Sequence, residues 1–128
     1  MRIFIILAAA LVIAACTPAA ASGPLPTGDA AHGAQLFSQS INGAPACSTC
    51  HTLDGTALVG PSLQGAAVTA AARVAGQSAE DYLYTSITQP AAFVVSGYSN
   101  SMYNQYVQHL SPQDTADFIA FLLTLQGD

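Results

Sequence analysis

The five residues Cys47-Ser48-Thr49-Cys50-His51 constrain this chain more than any other stretch. Two thiols three positions apart on a tight turn can each form a thioether with one vinyl group of the same porphyrin. The histidine that follows is then placed beneath the iron. In an exported chain the pattern C-x-x-C-H is typical of a c-type haem attachment site. The sequence therefore predicts one covalent haem c, anchored by Cys47 and Cys50, with His51 as an iron ligand.

Two other kinds of site also use cysteine pairs. A redox dithiol of the thioredoxin type requires a strand before the pair and a long helix after it, inside a βαβ unit. No stretch of this sequence has that pattern. A zinc site requires four ligands, and the chain offers no second cysteine pair. Haem attachment is favoured because both alternatives lack their required context.

The N-terminus has the pattern of a secretory signal. Arg2 is followed by an apolar run over residues 3–15, which is too short to span a membrane as a helix. We expect residues 1–15 to be a lipoprotein-type signal peptide, with Cys16 lipidated as the first residue of the mature protein. The alternative is cleavage after Ala21 without lipid. An unpaired cysteine is awkward in an oxidising compartment, which favours lipidation.

The remainder divides into a tether and one domain. Residues 16–28 are dominated by proline, glycine and small residues without periodicity, which predicts a flexible tether. Residues 29–128 are long enough for one small domain with a modest apolar core. A haem would add buried apolar area that the side chains of so small a domain cannot supply alone.

Hydrophobic periodicity predicts an all-α domain with three principal helices, and the first begins after the N-cap Asp29. Its expected buried face consists of small residues ending in an aromatic ring: Ala30, Gly33, Ala34 and Phe37. Glycine costs about 1 kcal/mol relative to alanine inside a helix, so Gly33 indicates a close approach by another element. His32 lies off this face and is expected to be a solvated surface residue.

The second principal helix is predicted to start at Ala79 after the cap Ser78, with Asp81 completing a capping box. It should end near Thr88, because Pro90 follows. Its apolar face is formed by Ala79, Tyr82, Leu83 and Ile87.

The third helix has a strong start at Ser111-Pro112-Gln113-Asp114 and is expected to end near Gln126-Gly127. Its apolar stripe consists of Phe118, Phe121, Leu122 and Leu125, and we expect it to cross the first helix at Gly33. Between the helices, residues 65–76 are predicted to be loop or a short helix. Residues 91–108 are predicted to be loop.

The charge balance limits the partners. The chain contains two basic residues, Arg2 and Arg73, against seven acidic ones, for a net charge of −5. Nucleic-acid binding is excluded, because nothing in the domain can neutralise phosphates. A protein partner must therefore dock through apolar and neutral polar contacts, or offer a basic surface itself.

These landmarks together resemble the small mono-haem class I cytochromes c. The shared order is an N-terminal helix, C-x-x-C-H, the turn Gly60-Pro61-Ser62-Leu63, a middle helix, a methionine loop and an aromatic C-terminal helix. The resemblance covers residues 28–126. It is closest to the cytochrome c domain of subunit II of some bacterial haem–copper oxidases and to related lipoprotein cytochromes.

The resemblance implies roles for individual residues. His51 would be the proximal iron ligand, oriented by the carbonyl of Pro61, and Met102 would be the distal ligand. Leu63 could pack on the haem face. Tyr98 and Arg73 are weaker matches, as hydrogen-bond partners of a haem propionate.

One departure from the family concerns the methionine loop. Members usually carry proline directly after the ligand methionine, and here Tyr103 follows Met102. His109 is the rival ligand, but is expected to be a surface or hydrogen-bonded polar residue instead.

By the same resemblance the chain would be an electron carrier and not an enzyme. It would be tethered to the periplasmic or outer face of a bacterial membrane and would pass one electron between redox proteins of a respiratory or photosynthetic chain. Two alternatives stay open: a fixed haem subunit of a larger membrane oxidoreductase complex, and a peroxidase or gas sensor with an open sixth iron site.

Overall fold

The computed structural model describes residues 24–127, so the predicted signal peptide and Cys16 lie outside the described residues. This part of the chain contains α1 (Ala30–Leu36), α2 (Ala66–Arg73), α3 (Ala79–Thr88), α4 (Tyr106–His109) and α5 (Pro112–Thr124). Two short 3₁₀ helices, Cys47–Thr49 and Pro90–Ala92, complete the regular structure. No strand occurs between residues 24 and 127, which confirms the all-α prediction. Within the same range, no helix has both the length and the apolar character needed to cross a membrane.

The first and last helices form the most extensive helix pair of the fold. Glycine permits this contact at two points. A Cβ added to Gly33 would lie 2.0 Å from the carbonyl oxygen of Asp117, and one added to Gly28 would lie 2.2 Å from that of Ala116. The predicted crossing of the two helices at Gly33 is therefore confirmed, and Gly33 is required because the two backbones almost touch there.

The buried face of α1 differs in part from the prediction. Gly33, Leu36 and Phe37 are buried, whereas Ala34 is exposed. The contact with α5 places Gly33 at the centre of the buried face. Leu36 and Phe37 lie three and four positions later and therefore fall on the same side of the helix. Phe37 follows the last residue of α1, and its ring packs on Phe121 with centroids 5.8 Å apart.

The predicted helix starts are confirmed, since they depend on local side-chain chemistry. The Ser78 hydroxyl accepts the backbone N–H of Asp81 at the start of α3 and donates to the Asp81 carboxylate, but the reciprocal capping box predicted there does not form. Ser111 and Asp114 form a reciprocal capping box at the start of α5. The end of α5 was placed too late, because the helix stops at Thr124.

Leu125 explains that earlier end of α5. Its backbone carbonyl accepts the N–H of Ala67 at 3.0 Å, in the first turn of α2. The chain therefore leaves the helix to satisfy a donor of a neighbouring helix, a contact that no local sequence signal announces.

Asp117 is buried in the contact between α1 and α5, with 1% of its surface exposed. One carboxylate oxygen accepts the N–H of Asp29 at 2.6 Å and the amide of Gln113 at 2.7 Å, and the other lies 2.7 Å from Nδ1 of His32. The prediction of a surface-exposed His32 is confirmed, but it missed the contact of the half-exposed ring with Asp117. Burial raises the pKa of Asp117, but these hydrogen bonds outweigh it and hold the pKa below its ordinary value.

The two segments without clear periodicity contain short helices. Residues 65–76 include α2, one of the two outcomes expected. Residues 91–108 were predicted to be loop, yet α4 begins at Tyr106. Tyr106 is buried, and its hydroxyl donates to the carbonyl of Pro45 at 2.9 Å. Burial raises its pKa, so the hydroxyl remains a donor. A tertiary contact therefore stabilises this four-residue helix.

Candidate haem site

One apolar cleft is lined by most of the residues that the sequence predicts to bind a haem. It encloses about 1240 Å³, including space open to solvent. Its walls come from the C-x-x-C-H motif, the turn after it, α3, the methionine loop and α5. The predicted site residues that line it are Cys47, Cys50, His51, Pro61, Leu63, Tyr98 and Met102. Residues far apart in the sequence thus meet in one cavity.

The motif forms a tight turn, as its spacing predicts. The backbone N–H groups of Cys50 and His51 both donate to the carbonyl of Cys47, at 3.1 and 3.0 Å. The turn is fixed to the end of α1, because the N–H of Ser48 donates to the carbonyl of Phe37 at 3.0 Å. Both thiols and the imidazole are therefore presented from one short, anchored segment.

The orientation of His51 is set by the turn that follows the motif. Nδ1 lies 2.7 Å from the carbonyl oxygen of Pro61. Since a carbonyl can only accept, Nδ1 carries the proton and Nε2 keeps a free lone pair, the form in which histidine binds a metal. A Cβ on Gly60 would lie 2.4 Å from Cε1 of His51, so only glycine leaves room for the ring.

The environment of Cys47 is unfavourable for thiol redox chemistry. Cys47 and Cys50 are free thiols in the structure, and burial raises the pKa of Cys47 to about 11. A reactive dithiol needs the opposite shift, because the thiolate is the nucleophile. Zinc is also disfavoured: over residues 24–127 no three His, Cys, Asp or Glu side chains come together in a way that could hold a metal ion.

Met102 lies on the long loop between Pro90–Ala92 and α4, and its side chain is partly buried in the cleft. Tyr98 lines the cleft from the same loop. Arg73, by contrast, does not reach it. It stands at the last position of α2 and lines a smaller neighbouring cavity with Val95. The two cavities share Pro61 and Val95 in their walls, so Arg73 lies beside the cleft without lining it, and its predicted contact with a propionate stays a prediction.

Several aromatic residues of the cleft had no predicted role in the site. They are Phe37, Tyr82, Phe93, Tyr103, Tyr106 and Phe118. Tyr82 and Phe118 were predicted to lie on apolar helix faces, which is the signal that could have found them. Tyr103 and Tyr106 sit in a segment without periodicity. His109 does not line the cleft, and its ring nitrogens are hydrogen-bonded to Tyr103 and to the carbonyl of Asn42.

The residues present fit a covalent haem. Two thiols on one turn can anchor the porphyrin edge, and one oriented imidazole can bind the iron. The surrounding wall is almost entirely apolar, as a large flat aromatic ligand requires. The donor set thus matches haem c and neither alternative.

Comparison with known proteins agrees with this geometry. A search of curated proteins found no match to the sequence. A family model described as cytochrome c matches residues 30–126, which is nearly all of the domain. This chain therefore belongs to the cytochrome c family, whose members bind a covalent haem c.

Proposed function

We propose that this chain is a membrane-tethered, one-electron carrier on the outer side of a bacterial membrane, with His51 and Met102 as its two axial iron ligands. Cytochromes c typically carry electrons, which agrees with the family of this chain. The observation that carries the ligand assignment is that Met102 and an imidazole with a free Nε2 line one apolar cleft. With both axial positions filled, no substrate reaches the iron.

The chain tunes this site in three ways. When bound, the haem supplies an iron that alternates between the ferrous and ferric states. A thioether ligand from Met102 favours the ferrous state and raises the potential. The apolar wall acts in the same direction, because it disfavours the additional positive charge of the ferric state. The hydrogen bond from His51 to Pro61 fixes the orientation of the imidazole and the tautomer that leaves Nε2 free for the iron.

The ligand assignment is tested on the oxidised holoprotein by its optical spectrum. We expect the weak near-red band that a methionine sulfur bound to ferric haem produces. Met102→Leu keeps most of the side-chain volume but lacks sulfur, and should abolish the band. The reduced variant should also bind carbon monoxide, whereas the unchanged protein should not. Absence of the band in the unchanged protein would favour the alternative with an open sixth site.

A redox partner is proposed to dock at the mouth of the cleft. Val59, Phe93 and Val94 line the cleft and are 58%, 38% and 38% exposed. Arg73 is the only lysine or arginine within residues 24–127, against six acidic side chains. Charge complementarity therefore points to a partner with an apolar patch flanked by lysine or arginine.

Two valines provide a matched test of this docking surface. Val59 at the cleft mouth and Val68 on α2 are both 58% exposed, but Val68 does not line the cleft. Val59→Ser should slow oxidation of the reduced holoprotein by membranes of the source organism, while Val68→Ser should not. Equal rates for the two variants would place the docking surface elsewhere. The rate should also fall with added salt, because the proposed attraction is electrostatic.

The tether has its own test, because Cys16 lies outside the described residues. Lipidation keeps the carrier beside its membrane partners and raises its effective concentration there. Cys16→Ala should move the protein from the membrane fraction to the soluble one and reduce turnover at low protein concentration. Equal turnover without Cys16 would show that the tether is not needed for partner encounter.

A further inference from the structure

We propose that Tyr103, His109 and Asn42 form a hydrogen-bonded clasp that holds Met102 in position at the iron. The inference rests on the proposed ligation by Met102. It concerns a cluster outside the ligand set, because neither His109 nor Asn42 lines the cleft. The three residues act as positioning residues for the distal ligand.

The clasp begins at the residue that follows the methionine. The hydroxyl of Tyr103 lies 2.9 Å from Nε2 of His109. Nδ1 of the same ring lies 2.8 Å from the carbonyl oxygen of Asn42. That carbonyl only accepts, so Nδ1 carries the proton, and in the neutral ring Nε2 accepts from the Tyr103 hydroxyl. The other acceptor near this hydroxyl, Oε1 of Gln105, is farther away at 3.3 Å. A single tautomer therefore satisfies the whole chain of hydrogen bonds.

Asn42 holds His109 by two contacts. Besides the carbonyl contact to the ring, its side-chain amide donates to the backbone carbonyl of His109 at 2.9 Å. Asn42 has a φ of +50°, a left-handed conformation that asparagine tolerates better than most residues. Its turn is closed by two backbone hydrogen bonds between Ile41 and Ala44, at 3.2 and 2.8 Å. The clasp is therefore anchored on a well-defined turn.

A second connection runs parallel to the first. The ring of Tyr103 packs edge-on against Tyr106, with centroids 5.1 Å apart. The hydroxyl of Tyr106 donates to the carbonyl of Pro45 at 2.9 Å. Pro45 and Asn42 belong to the short segment that leads directly into Cys47. The loop that carries Met102 is thus attached to the segment that carries the haem anchors, which fixes the distance between them.

The local structure of the methionine loop shows why an external attachment matters. Tyr98 N–H donates to Val95 at 3.1 Å and Ser101 N–H donates to Ser99 at 2.9 Å, but these bonds lie within the loop. From residue 93 to Met102 no hydrogen bond reaches another part of the described chain. Tyr103, directly after Met102, is therefore the first residue of this stretch whose hydrogen bond attaches the loop to the rest of the fold.

The test measures how readily Met102 is displaced from ferric haem by added imidazole. Displacement requires the loop to open, so loss of one clasp hydrogen bond should make imidazole bind about two- to tenfold more tightly. Tyr103→Phe removes the hydroxyl and keeps the ring packing. Asn42→Gly removes the amide, and glycine tolerates the positive φ. Tyr84→Phe is the matched control, because this exposed tyrosine of α3 does not line the cleft.

We expect both clasp variants to bind imidazole more tightly than the unchanged protein, and Tyr84→Phe to bind it equally. In the double variant the increase in imidazole affinity should be smaller than the product of the two single increases, because both changes break the same connection. A purely structural role would lower the unfolding temperature and leave imidazole affinity unchanged. If Tyr103→Phe yields no holoprotein, Asn42→Gly decides the proposal alone.

Unchanged imidazole affinity in Asn42→Gly, or in a folded Tyr103→Phe, overturns the clasp while the near-red band of the unchanged protein still supports ligation by Met102. Absence of that band in the unchanged protein overturns the ligation itself, and the clasp with it. The two failures are therefore distinguished by one spectrum.

Discussion

Replacing Gly33 by alanine tests the packing of α1 against α5. By helix propensity alone the change should stabilise the protein, because alanine is favoured over glycine by about 1 kcal/mol inside a helix. The structure predicts the opposite. The new Cβ would lie 2.0 Å from the carbonyl oxygen of Asp117, 2.5 Å from its carbonyl carbon and 2.9 Å from Cβ of Phe121.

The size of the effect follows from what has to move. Two of these three atoms are backbone, so no side-chain rotation relieves the clash, and the two helices must separate by more than 1 Å. Overpacking of a well-packed interior costs about 1–3 kcal/mol, and more where the backbone is rigid. We therefore expect Gly33→Ala to lower the free energy of unfolding by about 2 kcal/mol net. For a domain of this size the midpoint should fall by about 8–16 °C.

The assays are guanidinium unfolding of the holoprotein, which gives the free energy of unfolding, and thermal unfolding, which gives the midpoint temperature, both followed by circular dichroism. Ala34→Gly is the control, because Ala34 is the exposed neighbour on the same helix. This variant should lose only the helix propensity of alanine over glycine, about 1 kcal/mol of unfolding free energy. If packing decides, Gly33→Ala is the more damaging of the two changes. A Gly33→Ala protein as stable as the unchanged one would refute the close approach of the helices.

Three further predictions concern the pair of His32 and Asp117, the glycine at position 60 and the cap at Ser111. The hydrogen bond with Asp117 raises the pKa of His32 above its ordinary 6.5, so the stability that His32 contributes should be complete below that pH and lost as pH rises through the raised pKa. The pKa of Asp117 is lowered from 3.8, so its contribution should be lost as pH falls through the lowered value. Gly60→Ala should displace the His51 ring and reduce the yield of correctly ligated holoprotein, measured by its absorption spectrum. Ser111→Ala should lower the free energy of unfolding by about 1 kcal/mol, measured by denaturant titration, because it removes the cap of α5.

Each of these has an outcome that contradicts it. The difference in unfolding free energy between the unchanged protein and His32→Gln should be largest near pH 5, and a difference independent of pH would exclude a titrating pair. A Gly60→Ala protein with an unchanged spectrum would show that the imidazole has free space. Ser111→Thr is the conservative control for the cap, and should retain most of the stability that Ser111→Ala loses.

The local chemistry of the site was readable from the sequence. C-x-x-C-H needs only one tight turn to present two thiols and an imidazole. Ser78 and Ser111 each cap a helix by accepting the backbone N–H of the residue three positions later. These features depend on contacts over a few residues, so a single sequence contains the information. The apolar stripe of α5 was readable for the same reason.

The crossing of α1 and α5 at Gly33 was readable, but most other long-range contacts were not. No sequence pattern distinguished Asp117 from the other acidic residues, and only the meeting of α1 and α5 buries it beside His32. The resemblance implied a propionate contact for Arg73, and only the structure shows that Arg73 lines a smaller cavity beside the cleft. Order along a sequence fixes neither the side of a helix that faces a cavity nor the path of a loop.

The sequence by itself determined the cofactor chemistry, the all-α class and the helix starts, because each follows from residue type and spacing. The resemblance implied the contact of Pro61 with His51 and a place for Met102 at the haem, and the tertiary structure supplied the geometry of both. Only the tertiary structure decided that Tyr103 is tied through His109 to Asn42. The contact between His109 and Asn42 joins residues 67 positions apart. Such a pair forms only when the packing of the whole domain has brought its two segments together, and no local preference encodes it.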